Sequence, residues 1–199
     1  MQTLLLGTRN PGKVVEITSI LADAGWSFRS LQEFADVDVA TENGATYAEN
    51  AIEKARFYAV STGLCALADD SGLEVEALGG APGVFSARYA GDSASDADRR
   101  ALLLSDLSQL GAANRRARFV AAVAITKADG EVLNLSEGIC EGTLTFAPRG
   151  TNGFGYDPLF IPDGYDKTFA ELSDAIKNRI SHRARALMQT KEFLKSVAA

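Results

Sequence analysis

A length of 199 residues suits one domain, residues 1–199, with room for two lobes and a substantial core. Apolar residues at 46 % and charged residues at 23 % exclude a disordered chain, and no apolar run is long enough to cross a bilayer as a helix. A formal net charge of −6 argues against the basic stripe of a nucleic-acid track, while a small polyanion can still be held by metal and local cations.

Met1 to Leu6 has neither the basic start nor the long apolar stretch of a signal peptide, which predicts a cytoplasmic protein. Cys65 and Cys140 then read as reduced, buried hydrophobes. Leu4-Leu5-Leu6-Gly7 predicts a buried strand. Asn10-Pro11 follows as N-cap and first helical residue, with Val14, Ile17, Ile20 and Leu21 at helical spacing. Trp26 to Ser30 predicts a second strand, residues 31–45 a polar loop, and Ala45 to Ser61 a helix stopped by Thr62-Gly63. Leu64 to Ala68 is a further apolar strand, ending in Asp69-Asp70. Gly79, Gly80, Pro82 and Gly83 mark irregular backbone, and Asp96 to Leu110 a helix. Ala117 to Thr126 and Glu131 to Phe146 form a long hairpin about Asp129-Gly130, and Lys167 to Ala199 is largely helical. Strands alternating with helices, then a hairpin, give an α/β fold with a mixed sheet.

The richest segment is Thr151 to Phe160. Gly153 and Gly155 bracket Phe154, and Tyr156-Asp157-Pro158 follow. Glycines permit backbone closed to other residues, so the Phe154 ring can meet a flat ligand while Asp157 supplies one fixed acceptor. A heterocyclic base fits that description; so does a tight turn with buried aromatics.

Gly7-Thr8-Arg9-Asn10-Pro11-Gly12-Lys13 has the spacing of a phosphate-wrapping P-loop, but Val14 stands where a metal-binding hydroxyl belongs. Free amides at the helix start, with Thr8, Asn10 and Lys13, would still suit a phosphate; a capped helix with a solvated lysine is the plainer alternative. Asp69-Asp70-Ser71-Gly72 follows a strand, where adjacent carboxylates point opposite ways, so one of the two faces any given site. Beside a phosphate it needs Mg²⁺, with Glu42, Glu49 or Glu53 as a further ligand; an Asx-turn at Ser71-Gly72 is the alternative. Lys177, Ser181, His182 and Arg183 form a basic cluster, either gripping an electron-rich ligand or lying solvated on the surface. Gly79 to Tyr89, with Arg88 between small and aromatic residues, reads either as a loop ordered near phosphates or as a structural turn followed by a buried helix, in both cases supporting the site from behind.

In their order and spacing these segments resemble the inosine triphosphate pyrophosphatase family, which acts on noncanonical purine nucleoside triphosphates. The resemblance runs through Thr8-Arg9-Asn10-Pro11-Gly12-Lys13 with Glu16, Tyr47-Ala48-Glu49-Asn50-Ala51 with Lys54-Ala55, and Ala68-Asp69-Asp70-Ser71-Gly72-Leu73. It continues through Gly80-Ala81-Pro82-Gly83 with Ser86-Ala87-Arg88-Tyr89, then Gly153 to Pro158, Lys177 and Ile180-Ser181-His182-Arg183. Asn43 departs from the pattern, where a hydroxyl residue is expected. The resemblance implies a two-lobed α/β protein with a long mixed sheet flanked by helices and an active cleft between the lobes. It also implies a homodimer and Mg²⁺-dependent hydrolysis of ITP, dITP and XTP to the monophosphate and pyrophosphate. By position, Thr8, Arg9, Asn10, Pro11, Gly12 and Lys13 then bind the triphosphate, and Ser71 contacts substrate. Glu42 and Asp70 hold the metal, with Asp70 as proton acceptor. Phe154, Gly155, Tyr156 and Asp157 hold the base with Lys177, His182 and Arg183. Open alternatives are a pyrophosphatase for another base, a nucleotide sensor without catalysis, and a degenerate P-loop phosphotransferase.

Overall fold

The protein is described here by a computed structural model covering residues 2–111 and 114–198. Among the described residues six strands form one mixed sheet in the order β2-β1-β3-β4-β5-β6. At its parallel side β1 (Thr3–Leu6) lies between β2 (Ser27–Ser30) and β3 (Cys65–Val75), with Leu5 opposite Arg29 on one side and Ala66 on the other. Pairing on both edges and burial of both faces explain why Leu4, Leu5 and Leu6 are uniformly apolar.

Local chemistry sets the helix ends. Asn10 caps α1 (Pro11–Leu21), accepting from the Gly12 and Lys13 amides. Thr46 and Glu49 form a reciprocal cap on α2 (Tyr47–Thr62), so this helix starts two residues later than expected. Gly63 ends it in the left-handed conformation. Helix α3 spans Asp96–Gln109. Strands β4 (Arg116–Thr126) and β5 (Val132–Leu144) are neighbours joined at the expected turn, where the Lys127 amide donates to the Glu131 carbonyl at 2.9 Å. Strand β6 (Phe160–Pro162) pairs antiparallel with the end of β5.

Two expectations are corrected. β3 does not end at Asp69-Asp70 but runs on to Val75, because Leu73 and Val75 continue its buried pattern; Ser71-Gly72 is extended strand, not a turn. The helical run expected from Lys167 begins only at Asp174, as α4 (Asp174–Ile180). Phe169, Ala170 and Leu172 are all buried, a clustering without helical period. Ser181 is extended, and α5 (His182–Ala198) starts after it; Ala199, like Met1, lies outside the described residues.

The chain divides into two compact units. The first comprises Met1–Asp70, Ala121–Gly138 and His182–Ala199. Leu4 and Leu6 pack with Ile17, Leu21, Trp26, Val123, Leu187 and Leu194, while Leu5 packs with Leu31, Tyr58, Ala59 and Ala66 in a separate cluster. Alternate residues of β1 therefore serve cores on opposite faces, α1 and α5 covering one and α2 the other. The second unit, Ser71–Val120 and Ile139–Ser181, is built on Leu73, Leu103, Phe119, Phe160 and Phe169, with the Phe119 and Phe160 rings edge-on at 4.7 Å between centroids. Among the described residues no helix is long and apolar enough to cross a membrane.

Candidate active site

In the first unit, the alternation of an extended strand sends Asp69 and Asp70 to different partners. Asp69 is buried, and its Oδ2 receives Lys13 Nζ at 3.0 Å and Arg183 Nε at 3.0 Å. Arg183 Nη1 also donates to Glu16 Oε2. Burial alone would raise the Asp69 pKa; Lys13 and Arg183 outweigh it and hold the carboxyl well below the usual carboxylate range. Lys13 moves downward, because burial and the like charges of Lys54 and Arg183 exceed the help of one shared carboxylate. Arg183 was expected among the donors to a base; its guanidinium is instead committed to two carboxylates, and it is 2 % exposed.

Asp70 meets a different set. Its Oδ2 accepts from Asn50 Nδ2 at 3.0 Å, and Oδ1 lies 3.5 Å from Lys54 Nζ. The same ammonium donates to Glu42 Oε1 at 2.6 Å. Glu42 and Asp70 thus converge on one cation. Burial pushes the Asp70 pKa up, Lys54 opposing and Glu42 adding to the rise. Lys54 is the shorter partner of Glu42, which explains why it does not fully compensate Asp70. Lys54 itself is raised: burial disfavours its charge, but Asp70, Asp69 and Glu42 together prevail. Asn50 Oδ1 also accepts from the Gly44 amide at 2.8 Å, tying the loop that carries Glu42 to the Asp70 carboxylate. Of the other glutamates considered, Glu49 is taken by the α2 cap, accepting from Ala45 and Thr46 amides, and Glu53 is exposed.

The segment before α1 is tightly tied to the sheet. The Gly7 amide donates to Leu67 O at 2.6 Å, and a Cβ at Gly7 would stand 2.9 Å from that carbonyl and from Tyr58 Cδ2, which is why glycine is required. The amides expected to be free at the helix start are partly spent: Asn10 Oδ1 accepts from Gly12 N at 2.9 Å and Lys13 N at 3.2 Å. No wrapping P-loop forms, since the helix already begins at Pro11. Thr8 Oγ1 accepts from Asn10 N, and Arg9 Nη2 donates to Val37 O at 2.7 Å. Arg9, Asn10 and Pro11 are exposed, while Thr8, Gly12 and Lys13 are half-buried.

In the second unit, Gly153 and Gly155 both adopt positive φ, 74° and 58°. Asp157 was expected to offer an acceptor to a ligand. It is turned inward: Oδ2 accepts from Phe154 N at 2.9 Å and from Lys177 Nζ at 2.6 Å. A Cβ on Gly153 would collide with that same carboxylate. Lys177 Nζ stands 4.8 Å from the Phe154 ring centroid, so one ammonium is shared by a carboxylate and an aromatic face. Phe154 itself is half-buried. Tyr156 is buried in the core and donates from its hydroxyl to Ser86 O at 3.0 Å; burial raises its pKa. Ser86 Oγ in turn accepts from Leu73 N and donates to Gly83 O, so the glycine-rich segment does brace this region. Ser71 is half-buried on β3. The basic cluster is not a solvated patch: Lys177, Ser181, His182 and Arg183 are all buried, and the unit boundary falls between Ser181 and His182.

Several residues here had no role in the sequence reading. Lys54 and Asn50 sit four apart on α2, a spacing that marks one helix face but not what it faces. Asp96 and Arg100 of α3 also contact the aromatic loop: Asp96 Oδ2 accepts from Gly155 N at 2.7 Å, and Arg100 Nη1 donates to Gly155 O at 2.6 Å. In the sequence, an acid and a base four apart on a helix give no signal for such a contact.

Residues 4–193 match the Ham1 family over nearly the whole chain. The chain belongs to the Ham1 family. It is 48 % identical over 191 residues to a dITP/XTP pyrophosphatase of Streptomyces avermitilis, covering 95 % of each chain. It is 49 % identical over 192 residues to one of Thermus thermophilus, covering 96 % of this chain and 91 % of the other. Among solved structures, a HAM1 protein from Coxiella burnetii superposes with a TM-score of 0.90 at 42 % identity, covering 98 % of this chain and all of that one. A nucleoside-triphosphatase, dITP/XTP pyrophosphatase, from Mycobacterium abscessus gives 0.74 at 42 % identity, covering 95 % and 98 %. The α/β fold with a mixed sheet is therefore both observed in this chain and shared by its Ham1 relatives.

Proposed function

We propose that this Ham1 protein hydrolyses noncanonical purine nucleoside triphosphates (ITP, dITP and XTP) to the monophosphate and pyrophosphate, clearing them from the nucleotide pool. The observation that carries the reading is Glu42 and Asp70 converging on one cation, in a chain about half identical along its length to dITP/XTP pyrophosphatases.

The donor set fits Mg²⁺. Two carboxylates already share a cation, and oxygen ligands with phosphates and water completing the shell are what Mg²⁺ takes. Glu42 and Asp70 are the residues that would hold it. Mg²⁺ supplies charge neutralisation and a better pyrophosphate leaving group.

The chain's own residues do the rest. Lys13 and Lys54 offset phosphate charge; Lys13 is set in place by Asp69, itself anchored by Arg183. Thr8, Arg9 and Asn10 before α1, with Pro11 and Gly12 of its first turn, present a half-exposed surface to the triphosphate. Asp70 orients water, or takes its proton, for in-line attack on the α-phosphorus; a raised pKa makes it a better proton acceptor than an ordinary aspartate. Phe154 stacks on the purine, and Lys177 and His182 favour a 6-keto oxygen over a 6-amino group, since unpaired buried donors reject a mismatched base. Asp157, Gly155 and Tyr156 shape the loop that presents Phe154. The same reading makes the protein cytoplasmic and, as the family resemblance suggests, a homodimer; light scattering tests the dimer.

The test is a substrate panel of ITP, dITP, XTP, GTP and ATP with Mg²⁺, products separated by anion exchange. Monophosphate plus pyrophosphate from the first three, with little from GTP or ATP, is expected. Release of inorganic phosphate and a diphosphate would restore the phosphotransferase reading, and binding without turnover would make the chain a sensor.

A further inference from the structure

Phe154 can discriminate bases only if its ring is held still, and the contacts that hold it come from two places. Asp157, three residues on, takes its own N–H. The peptides on either side of Gly155 are held by α3: Asp96, the first residue of that helix, accepts from Gly155 N at 2.7 Å, and Arg100, one turn later, donates to Gly155 O at 2.6 Å. Both polar groups of Gly155 are thereby bound to ionised side chains, the stronger class of hydrogen bond. Gly155 lies at φ 58°, so free of these bonds it could leave the left-handed region at little steric cost.

The clamp is itself braced. Asp96 Oδ1 pairs with Arg99 Nη1 at 2.6 Å, and Arg99 Nη2 donates to Ala94 O at 2.7 Å. Ser95 caps α3 and forms a reciprocal box with Asp98, fixing the first turn on which Asp96 stands. Arg100 Nε is buried and, among the described residues, has no hydrogen-bond partner, so this guanidinium is not placed to satisfy the most donors. Its Nη1 bond to Gly155 is its evident use.

We propose that Asp96 and Arg100 are positioning residues: they hold the two peptide groups that flank the Gly155 Cα and keep the Phe154 ring in register for the base. Their bonds go to the Gly155 backbone and to Arg99, so their loss acts on base recognition and not on the chemical step. The inference rests on the assignment of Phe154 to the base.

The experiment measures kcat and KM for dITP in Asp96→Ala, Asp96→Asn, Arg100→Ala and Arg100→Lys, together with amide hydrogen exchange at Gly155. Loss of one charge-assisted bond predicts roughly a tenfold rise in KM for either alanine variant, with kcat within about twofold and Gly155 exchange faster by a similar factor. Asp96→Asn and Arg100→Lys, which keep an acceptor and a donor, are expected to recover most of the KM. An unchanged KM and unchanged exchange in the alanine variants would overturn the proposal. So would a fall in kcat at constant KM, or conservative variants no better than alanine. If the unaltered protein does not turn over dITP, the functional reading fails first, and Gly155 exchange still reports whether the clamp exists.

Discussion

The two neighbouring carboxylates of β3 are built to opposite ends. Asp69 is charge-compensated: two cations share its Oδ2, its pKa is held down, and it anchors both α1 through Lys13 and α5 through Arg183. Asp70 is under-compensated: the nearby Lys54 ammonium is more closely engaged by Glu42, and burial pushes the Asp70 pKa up. A group held in its preferred charge state contributes to the fold. A group held against it costs stability and is available for chemistry. One residue of strand alternation separates the two roles.

The sharpest way to break that contrast is Asp70→Asn. If Asp70 orients or deprotonates water, kcat falls by roughly 10²–10⁴-fold. Its melting temperature should equal or exceed that of the unaltered protein, because the substitution removes a charge the fold disfavours; a clear fall in both would contradict the assignment. Asp69→Asn should do the reverse in thermal unfolding. Removing the shared partner of two buried cations should cost about 3 kcal/mol, read by denaturant titration.

Acid sharpens the comparison further. The depressed Asp69 pKa contributes stability that is present above the ordinary aspartate value and lost as pH falls toward its folded value. The raised Asp70 pKa has the opposite sign: stability is greatest with the group protonated and is lost as pH rises through its folded value. Melts from neutral to acid pH should therefore show any advantage of Asp70→Asn vanishing first, while the deficit of Asp69→Asn persists to stronger acid. The smallest effect expected is on binding. Phe154→Ala should raise KM about tenfold with kcat little changed, the loss of one base–aromatic stack. An unchanged KM would remove stacking from the account.

Much of this was legible in the sequence, and the parts that were not share a cause. Asn10-Pro11, Thr62-Gly63 and Asp129-Gly130 act through local backbone chemistry, so the elements they bound could be placed closely. The alternation of Asp69 and Asp70 followed from strand geometry alone. The positive φ of Gly153 and Gly155 was likewise readable, because bulky neighbours left glycine as the only permissive residue. Missed were contacts that only the tertiary fold creates. Arg183 looked like a free donor, yet its partners Asp69 and Glu16 lie 114 and 167 residues away. Asp157 looked available to a ligand, but Lys177 and the Phe154 amide take it. Lys54 carried no sign that two carboxylates would share it. The end of β3 was misjudged because Asp-Asp-Ser-Gly has turn composition, while Leu73 and Val75 buried beyond it decide for the strand.

Central to the account is water attack at the α-phosphorus with Asp70 as the group that directs it. The most direct test is turnover of dITP in ¹⁸O-labelled water, with mass analysis of both products. The account predicts one labelled oxygen in the monophosphate and none in pyrophosphate, with label incorporation nearly abolished in Asp70→Asn. Label in pyrophosphate, or in inorganic phosphate released from the γ-position, would contradict it.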